Sequence, residues 1–215
     1  MTTRRKQLTE EIKAGIRTSA ALLFAEKGYH SVTMREIAKA AGCSHTAIYL
    51  YYKNKVDLLQ QIAIPPLEEL EQRMLTQMNK LQAEPLQALL AVCVAYARFS
   101  LTNASIQTIL VTSASVRVDE QEPELEVNVI RNRLFGHMMN ALGHALGGES
   151  STASSAETAL NQTRILFYYV QGFVSTYTNH TEPADELLER ILPIYKQGIL
   201  TIIAGLQQTS RSGGS

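Results

Sequence analysis

The sequence has no long hydrophobic run, only two cysteines, no net charge, and none of the short motifs that carry covalent or phosphate chemistry. Each absence removes a class of function. The longest apolar run, residues 88–97, falls short of the roughly 20 apolar residues a bilayer-spanning helix needs. The N-terminal Met-Thr-Thr-Arg-Arg-Lys lacks the apolar stretch of a secretory leader, so a soluble protein is expected. Cys43 and Cys93 have no metal-ligand spacing and give no disulfide framework, which suits a reducing cytosol, and both read as small buried apolar groups. His137 and His144, seven apart on one helix, would share a face yet stand about 10.5 Å apart along the axis, too far to share a metal. His30 and His180 fall near expected helix ends. There is no Gly-rich phosphate loop, no Gly-x-Ser-x-Gly elbow and no carboxylate pair in a recognisable motif. No catalytic residue, metal site or cofactor is expected.

The zero net charge conceals an uneven distribution. Residues 1–60 carry ten Lys and Arg against five Asp and Glu, and the remainder carries ten against fifteen. A basic N-terminal module on an acidic body is the electrostatic footprint of a nucleic-acid-binding head whose other part avoids phosphate.

The basic module is organised around residues 33–55. Thr33 followed by Glu36 has capping-box spacing, so a short helix should start there. Ile37, Ala38 and Ala41 carry its apolar face up to Gly42, which tolerates the left-handed backbone of a sharp stop. Ser44 recaps a second helix expected to run through Tyr52, with Ile48 and one of Tyr51 or Tyr52 inward and His45, Thr46, Tyr49 and Lys53 outward. This is a helix-turn-helix, with the second helix suited to the major groove. Upstream, Ile12, Ile16, Ala20, Leu23 and Phe24 recur at helical spacing and end at Lys27-Gly28. Arg4, Arg5 and Lys6 precede that helix, either along phosphates or in a minor groove, or as a plain basic tail.

These residues resemble the TetR-like family of bacterial repressors. The resemblance runs from Ala20-Ala-Leu-Leu-Phe24 and Gly28-Tyr29 through Thr33, Ile37-Ala38, Ala41-Gly42, Ser44, Ile48-Tyr49 and Lys53-Asn-Lys55 to Asp57-Leu-Leu59. Thr46 stands where the family usually has Gly, and Tyr52 where it usually has Phe. By resemblance, Tyr49 and Lys55 should meet the DNA backbone. At the start of the recognition helix, His45 and Thr46, with Tyr51, should read base edges. Thr33 and Ser44 should act as caps whose helix ends face phosphate, and Lys53 completes the outward basic set.

Beyond the motif an all-α body is expected. Asn54 with Asp57 should cap a fourth helix, kinked or broken near Ala63 by Pro65-Pro66, which remove two N–H donors, and followed by a helix from Leu67 to about Gln82. Glu84-Pro85 opens a helix to about Leu101, a short one covers Ile106 to Ala114, and a longer one runs from about Glu120 through Leu146. Residues 147–155 read as a polar loop. Ala156 to Tyr177 and Ala184 to Leu206 are two long helices, the second with Pro193 inside, and the tail from Gln207 should fray. The organisation reads as a helix-turn-helix domain over 1–54, a helical ligand-binding and dimerisation domain over 55–207, and a flexible tail over 208–215. In fold class this is all-α, a three-helix head on a larger helical bundle.

The final helix has two apolar stripes, one through Leu187, Ile191 and Ile194 and a wider one through Leu188, Leu192, Tyr195, Ile199, Ile202 and Leu206. One can cover the subunit core and the other can meet a second copy, with Ile199 and Ile202 at the contact; a helix enclosed in a monomer has the same pattern. The resemblance implies the homodimer, through the last two helices. Phe167 with Gln171-Gly172 loosely resembles a Trp-x-x-x-His-Gly signature of the family. A ligand pocket, also implied by the resemblance, would draw on Tyr96, Phe99, Phe135, Met138, Met139, Tyr168, Tyr169, Gln171, Phe173 and Tyr177, with Arg98 and Arg164 as further polar groups. The same aromatic pattern is equally that of plain core. The expected function is a ligand-responsive, DNA-binding repressor that binds a palindromic operator as a homodimer and is released by a small apolar or aromatic effector. The alternative is a ligand-insensitive DNA-binding scaffold that recruits a protein partner.

Overall fold

A computed structural model of the chain describes residues 2–104, 106–107, 123–147, 153–177 and 180–212. Among these residues there are eight helices and no strand. Three form the head: α1 (Thr2–Lys27), α2 (Met34–Ala40) and α3 (His45–Ile48). Five follow: α4 (Lys55–Lys80), α5 (Pro85–Thr102), α6 (Glu126–Leu146), α7 (Ala153–Ser175) and α8 (Ala184–Ser212).

The head closes where its sequence says it should. Gly28 ends α1 with φ +79 and Gly42 ends α2 with φ +68, both in the left-handed region that glycine enters without a Cβ penalty. Its core is Ile16, Ala20, Phe24, Ile37, Ala38, Ile48 and Tyr52, joined by Leu58, Leu59 and Ile62 from the first turns of α4. The body core begins one residue later on the same helix, with Ala63, Leu67, Leu70 and Met74. One helix therefore belongs to both cores.

Of the kink or break expected near Ala63, no break occurs: α4 is helical from Lys55 to Lys80 with both prolines inside it. Two proline rings remove two intrahelical N–H donors. The buried run Leu58, Leu59, Ile62, Ala63, Leu67, Leu70 and Met74 packs on both sides of the prolines and holds the helix together against that loss.

In the body, α5 packs against α4, α6, α7 and α8 and is the central helix. It is long and apolar enough to cross a membrane by length and composition. Its apolar residues are instead core, with Leu89, Val92, Cys93 and Ala97 all buried among the other helices. Burial pushes the Cys93 thiol up to about 12, an inert apolar role. Cys43 is half-buried, and both cysteines are free.

Other boundaries moved. Arg4, Arg5 and Lys6 lie within α1 instead of preceding it. α6 begins at Glu126, after Pro123 and two bent residues, and not near Glu120. α8 continues past Leu206 to Ser212. Most of the expected helix from Ile106 to Ala114 and most of the loop after Gly147 lie outside the described residues, although Ile106 and Gln107 are helical.

Candidate nucleic-acid interface and the polar centre of the body

The recognition segment is set by three caps. Thr33 Oγ1 accepts from the Glu36 N–H (3.3 Å) and Glu36 Oε2 accepts from the Thr33 N–H (2.9 Å), completing the capping box. Those bonds to Thr33 hold the Glu36 carboxyl below its ordinary value, with help from Lys27 at 3.3 Å. Ser44 Oγ accepts from the Ala47 N–H at 3.1 Å, and Asn54 Oδ1 from the Asp57 N–H at 2.8 Å, with Asp57 returning to the Lys53 N–H at 2.9 Å.

The second helix is shorter than expected. Its α-helical part is His45–Ile48, after which Leu50 and Tyr51 donate to the carbonyls three residues back, a tighter winding that carries the chain to Tyr52. Tyr52 is the inward residue, 2% exposed, while Tyr51 is half-buried. Its hydroxyl donates to the Lys13 carbonyl (3.1 Å) and accepts from Arg17 (3.4 Å), fastening the end of the recognition segment to α1. Outward stand His45, Thr46, Tyr49 and Lys53, as expected. The His45 and Tyr49 rings meet edge to face at 5.3 Å, so each fixes the other's direction.

Lys55 is placed differently. It begins α4, and its ammonium donates to the carbonyls of Tyr29 (2.8 Å), His30 (3.3 Å) and Val32 (2.9 Å) while lying 4.5 Å from the centre of the Tyr29 ring. An ammonium has three protons, and here all three point at the turn between α1 and α2. Half-burial also lowers its pKa by desolvation. In this arrangement Lys55 joins the head to α4 and presents no proton outward.

In the body the candidate residues separate into three groups. Tyr96 and Gln171 come together: the Tyr96 hydroxyl donates to Gln171 Oε1, and Gln107 Nε2 donates to the same oxygen (3.0 Å) and to the Tyr96 oxygen (3.4 Å). Phe167 stands edge to face with both Tyr96 and Phe135, at 6.1 and 5.7 Å. Burial raises the Tyr96 pKa and lowers that of Arg131, which donates to Asn128 at 3.2 Å. Phe99 and Met138, with Phe135, are buried core, and Met139 is half-buried.

A second group is structural. The Tyr169 hydroxyl donates to the Tyr195 carbonyl (3.1 Å), its ring stacks on Tyr195, and Phe173 packs on both and on Tyr177. The ring crosses α8 over Gly198, where an added Cβ would sit 2.0 Å from the Tyr169 oxygen. The third group faces out: Tyr168 is 63% exposed, and Arg98 is exposed and paired with Asp185. Gln107 and Arg131 escape sequence reasoning, since an isolated Gln or Arg at helical spacing carries no signal. Ile199, expected at a subunit contact, is fully buried within the chain's own core.

The profile of the bacterial regulatory proteins of the tetR family matches residues 16–62, the head as described above. Over that stretch, about a fifth of its length, the chain is similar to the TetR family. It is 28% identical over 189 residues to the HTH-type transcriptional repressor BepR of Brucella suis, covering 86% of this chain and 88% of that one. To the HTH-type transcriptional regulator AcrR of Shigella flexneri it is 40% identical over 62 residues, which is only 29% of either chain. To the fatty acid metabolism regulator protein of Bacillus subtilis it is 32% identical over 112 residues, 56% of that protein's length. In fold it resembles the TetR-family regulator PfmR of Thermus thermophilus, with a TM-score of 0.64 at 21% identity over 88% of this chain and 97% of that one.

Proposed function

We propose that the chain is a TetR-family regulator: a homodimeric, ligand-responsive repressor that binds a palindromic operator in the cytoplasm and is released by a small, mostly apolar or aromatic effector. The observation that carries the coupling is α4. Its first turns are head core and the rest is body core, so a displacement of the body side of α4 is passed to the head through an unbroken helix. The division is a head over 1–54 and a body over 55–207, hinged on this shared element.

Support for an effector comes from the polar centre of Tyr96, Gln107 and Gln171 among Phe135, Phe167 and the α5 core, an apolar surround with a few convergent polar groups. The Bacillus subtilis relative is named as a regulator of fatty acid metabolism, which suits an apolar effector. Support for the dimer is the outer face of α7 and α8, where Ile165, Tyr168 and Ile194 are 50%, 63% and 64% exposed. His45, Thr46, Tyr49 and Lys53 form the DNA-facing set, with Tyr51 at its edge and Thr33 and Ser44 as its caps.

The test uses the full chain and a duplex enriched from a random pool by the protein itself. Fatty acids and aromatic compounds are screened by thermal shift, since a compound that binds only the folded state raises the melting temperature. A compound that does so should also release the duplex. Stabilisation without release removes the proposed coupling. A full panel without stabilisation favours the scaffold reading, in which Tyr96, Gln107 and Gln171 merely satisfy one another.

A further inference from the structure

Among the described residues, five polar side chains are buried: Glu71, Ser100, Gln107, Asn128 and Thr163. Three are answered. Glu71 accepts from Arg133 at 2.8 Å, Gln107 donates to Gln171 at 3.0 Å, and the Thr163 hydroxyl donates to the Ala159 carbonyl at 2.7 Å. Ser100 and Asn128 are only 3% and 2% exposed, yet Ser100 Oγ and Asn128 Nδ2 have no hydrogen-bond partner among the described residues. Buried polar atoms are nearly always bonded, so two unmet ones in one bundle call for a partner.

Both belong to the polar centre of the body. Ser100 lies one turn beyond Tyr96 on α5. Burial raises the Tyr96 pKa, and Gln107, Arg131 and Ser100 pull against it, which places all three around its hydroxyl. Arg131 in turn donates to Asn128 Oδ1 at 3.2 Å. That bond settles the amide: an arginine only donates, so the accepting atom is the oxygen and Nδ2 is the unmet end. Ser100 is held back in its own way. A hydroxyl inside a helix commonly turns to the carbonyl four residues earlier, as Thr102 does to Arg98 at 2.8 Å, but Ser100 Oγ makes no such bond. The helix neighbours of the two residues, Ala97, Leu101, Val127 and Ile130, are all buried apolar core.

Resting on the effector reading, we infer that the effector carries a carbonyl or carboxylate head whose oxygen accepts from Asn128 Nδ2 and Ser100 Oγ, with its apolar part against the α5 and α6 core. An amide nitrogen is a donor only, and a hydroxyl can donate, so the group that answers both is an acceptor. A carbonyl-type oxygen accepts without adding a proton of its own. An ammonium head would set N–H against N–H, beside a guanidinium whose charge already reaches Tyr96. Arg131 is a positioning residue here, holding the Asn128 amide with its nitrogen toward the ligand.

The experiment uses the full-length protein and two matched series of probes: octane, octylamine, octanoic acid and methyl octanoate, then ethylbenzene, phenethylamine, phenylacetic acid and methyl phenylacetate. Affinity is read from the dependence of melting temperature on probe concentration. In at least one series the acid or the ester should bind about tenfold more tightly than the hydrocarbon and the amine. Preference for the acid marks a carboxylate, and preference for the ester a neutral carbonyl. Ser100→Ala and Asn128→Asp should each weaken the oxygen-headed probe by about 2- to 10-fold and leave the hydrocarbon where it was. Neither threatens folding, since the serine hydroxyl is unbonded and aspartate keeps the oxygen that Arg131 holds. Asn128→Asp should also cost the acid more than the ester, because it sets carboxylate against carboxylate. A hydrocarbon or amine that binds as tightly as the acid and ester in both series overturns the inference. So does oxygen-headed binding that neither variant changes, which would mean that water answers the two donors. If neither series shifts the melting temperature while another compound of the wider panel does, the head-group inference fails and the effector reading stands. If no compound does, both fail.

Discussion

In the head, the polar groups that shape the turns find partners three or four residues away: Thr33 with Glu36, Ser44 with Ala47, Asn54 with Asp57. In the body the corresponding separations are far larger. Arg133 reaches Glu71 across 62 residues, Tyr96 reaches Gln171 across 75, and the buried Tyr195 hydroxyl donates to the Cys93 carbonyl across 102. Short-range capping sets the ends of the head's helices within a few residues, whereas the body's helices are held in register by contacts that exist only in the assembled bundle. The head should therefore tolerate loss of a single polar partner better than the body does, and the body's faults should spread.

The largest effect is expected where a charge enters the body core. Ile199 is fully buried, so Ile199→Glu leaves an unpaired carboxylate in an apolar site at a cost of roughly 3–5 kcal/mol. Ile194→Glu, on a residue 64% exposed, should leave the subunit folded and separate the proposed dimer. Thermal melting and sedimentation of both variants distinguish core from contact. A wild-type melting temperature for Ile199→Glu would sink the packing described above.

Next comes the joint between α4 and α6. Glu71, 8% exposed, accepts from Arg133 Nε and Nη2 at 2.8 Å each and faces His137 Nε2 at 3.0 Å. The Arg133 bonds are the main cause of its lowered pKa. Because Arg133 is itself 43% exposed, water compensates part of the loss, and Glu71→Ala should cost about 2 kcal/mol at neutral pH. The sign follows from the depressed folded value. The contribution is fully present above the ordinary Glu pKa of about 4.3 and is lost as pH falls through the lower folded value. Urea titrations of wild type and variant should converge at low pH. A gap that widens on acidification would contradict the pairing.

Two glycines test the same contrast inside helices. Gly15 on α1 has open space where its Cβ would be, whereas at Gly198 on α8 a Cβ meets the Tyr169 oxygen at 2.0 Å and its ring at 2.3 Å. Gly15→Ala should raise stability by up to about 1 kcal/mol through helix propensity. Gly198→Ala should lower it by about 1–3 kcal/mol, because Tyr169 must leave the Tyr195 carbonyl. Matching signs for the two variants would mean that Tyr169 does not cross α8 as described.

The same difference in range explains what could be read from the sequence. Both glycine stops, all three caps and the inward Ile48 depend on neighbours within a few residues, and each was legible. Pro65-Pro66 does not break α4 because a local rule, two lost donors, is overridden by apolar burial on both sides of the pair. Ile199 misled because a two-striped helix does not say which stripe faces the subunit's own core. The polar centre was half visible: Tyr96 and Gln171 stood out, while Gln107 joins them only through a fold that places it beside both. Inside the head, the bonds Lys55 makes are also long-range, reaching carbonyls 23 to 26 residues away.

Lys55 and Lys53 give the smallest and most discriminating test. Adjacent to the recognition segment and two residues apart, they both read in the sequence as part of the DNA-facing set. The structure separates them: Lys53 is exposed with its side chain outward, and Lys55 is half-buried on three carbonyls. Removing a phosphate-binding charge lowers the salt slope of duplex binding by about 0.9 and leaves stability unchanged. Removing a charge-assisted bond network lowers stability by about 1.5–3 kcal/mol and leaves the slope alone. Lys53→Ala should therefore behave in the first way and Lys55→Met, which keeps the apolar stem, in the second. Denaturation curves and binding titrations at several salt concentrations report both quantities for each variant. A lowered slope for Lys55→Met with unchanged stability would show that its ammonium leaves the carbonyls for phosphate when DNA binds.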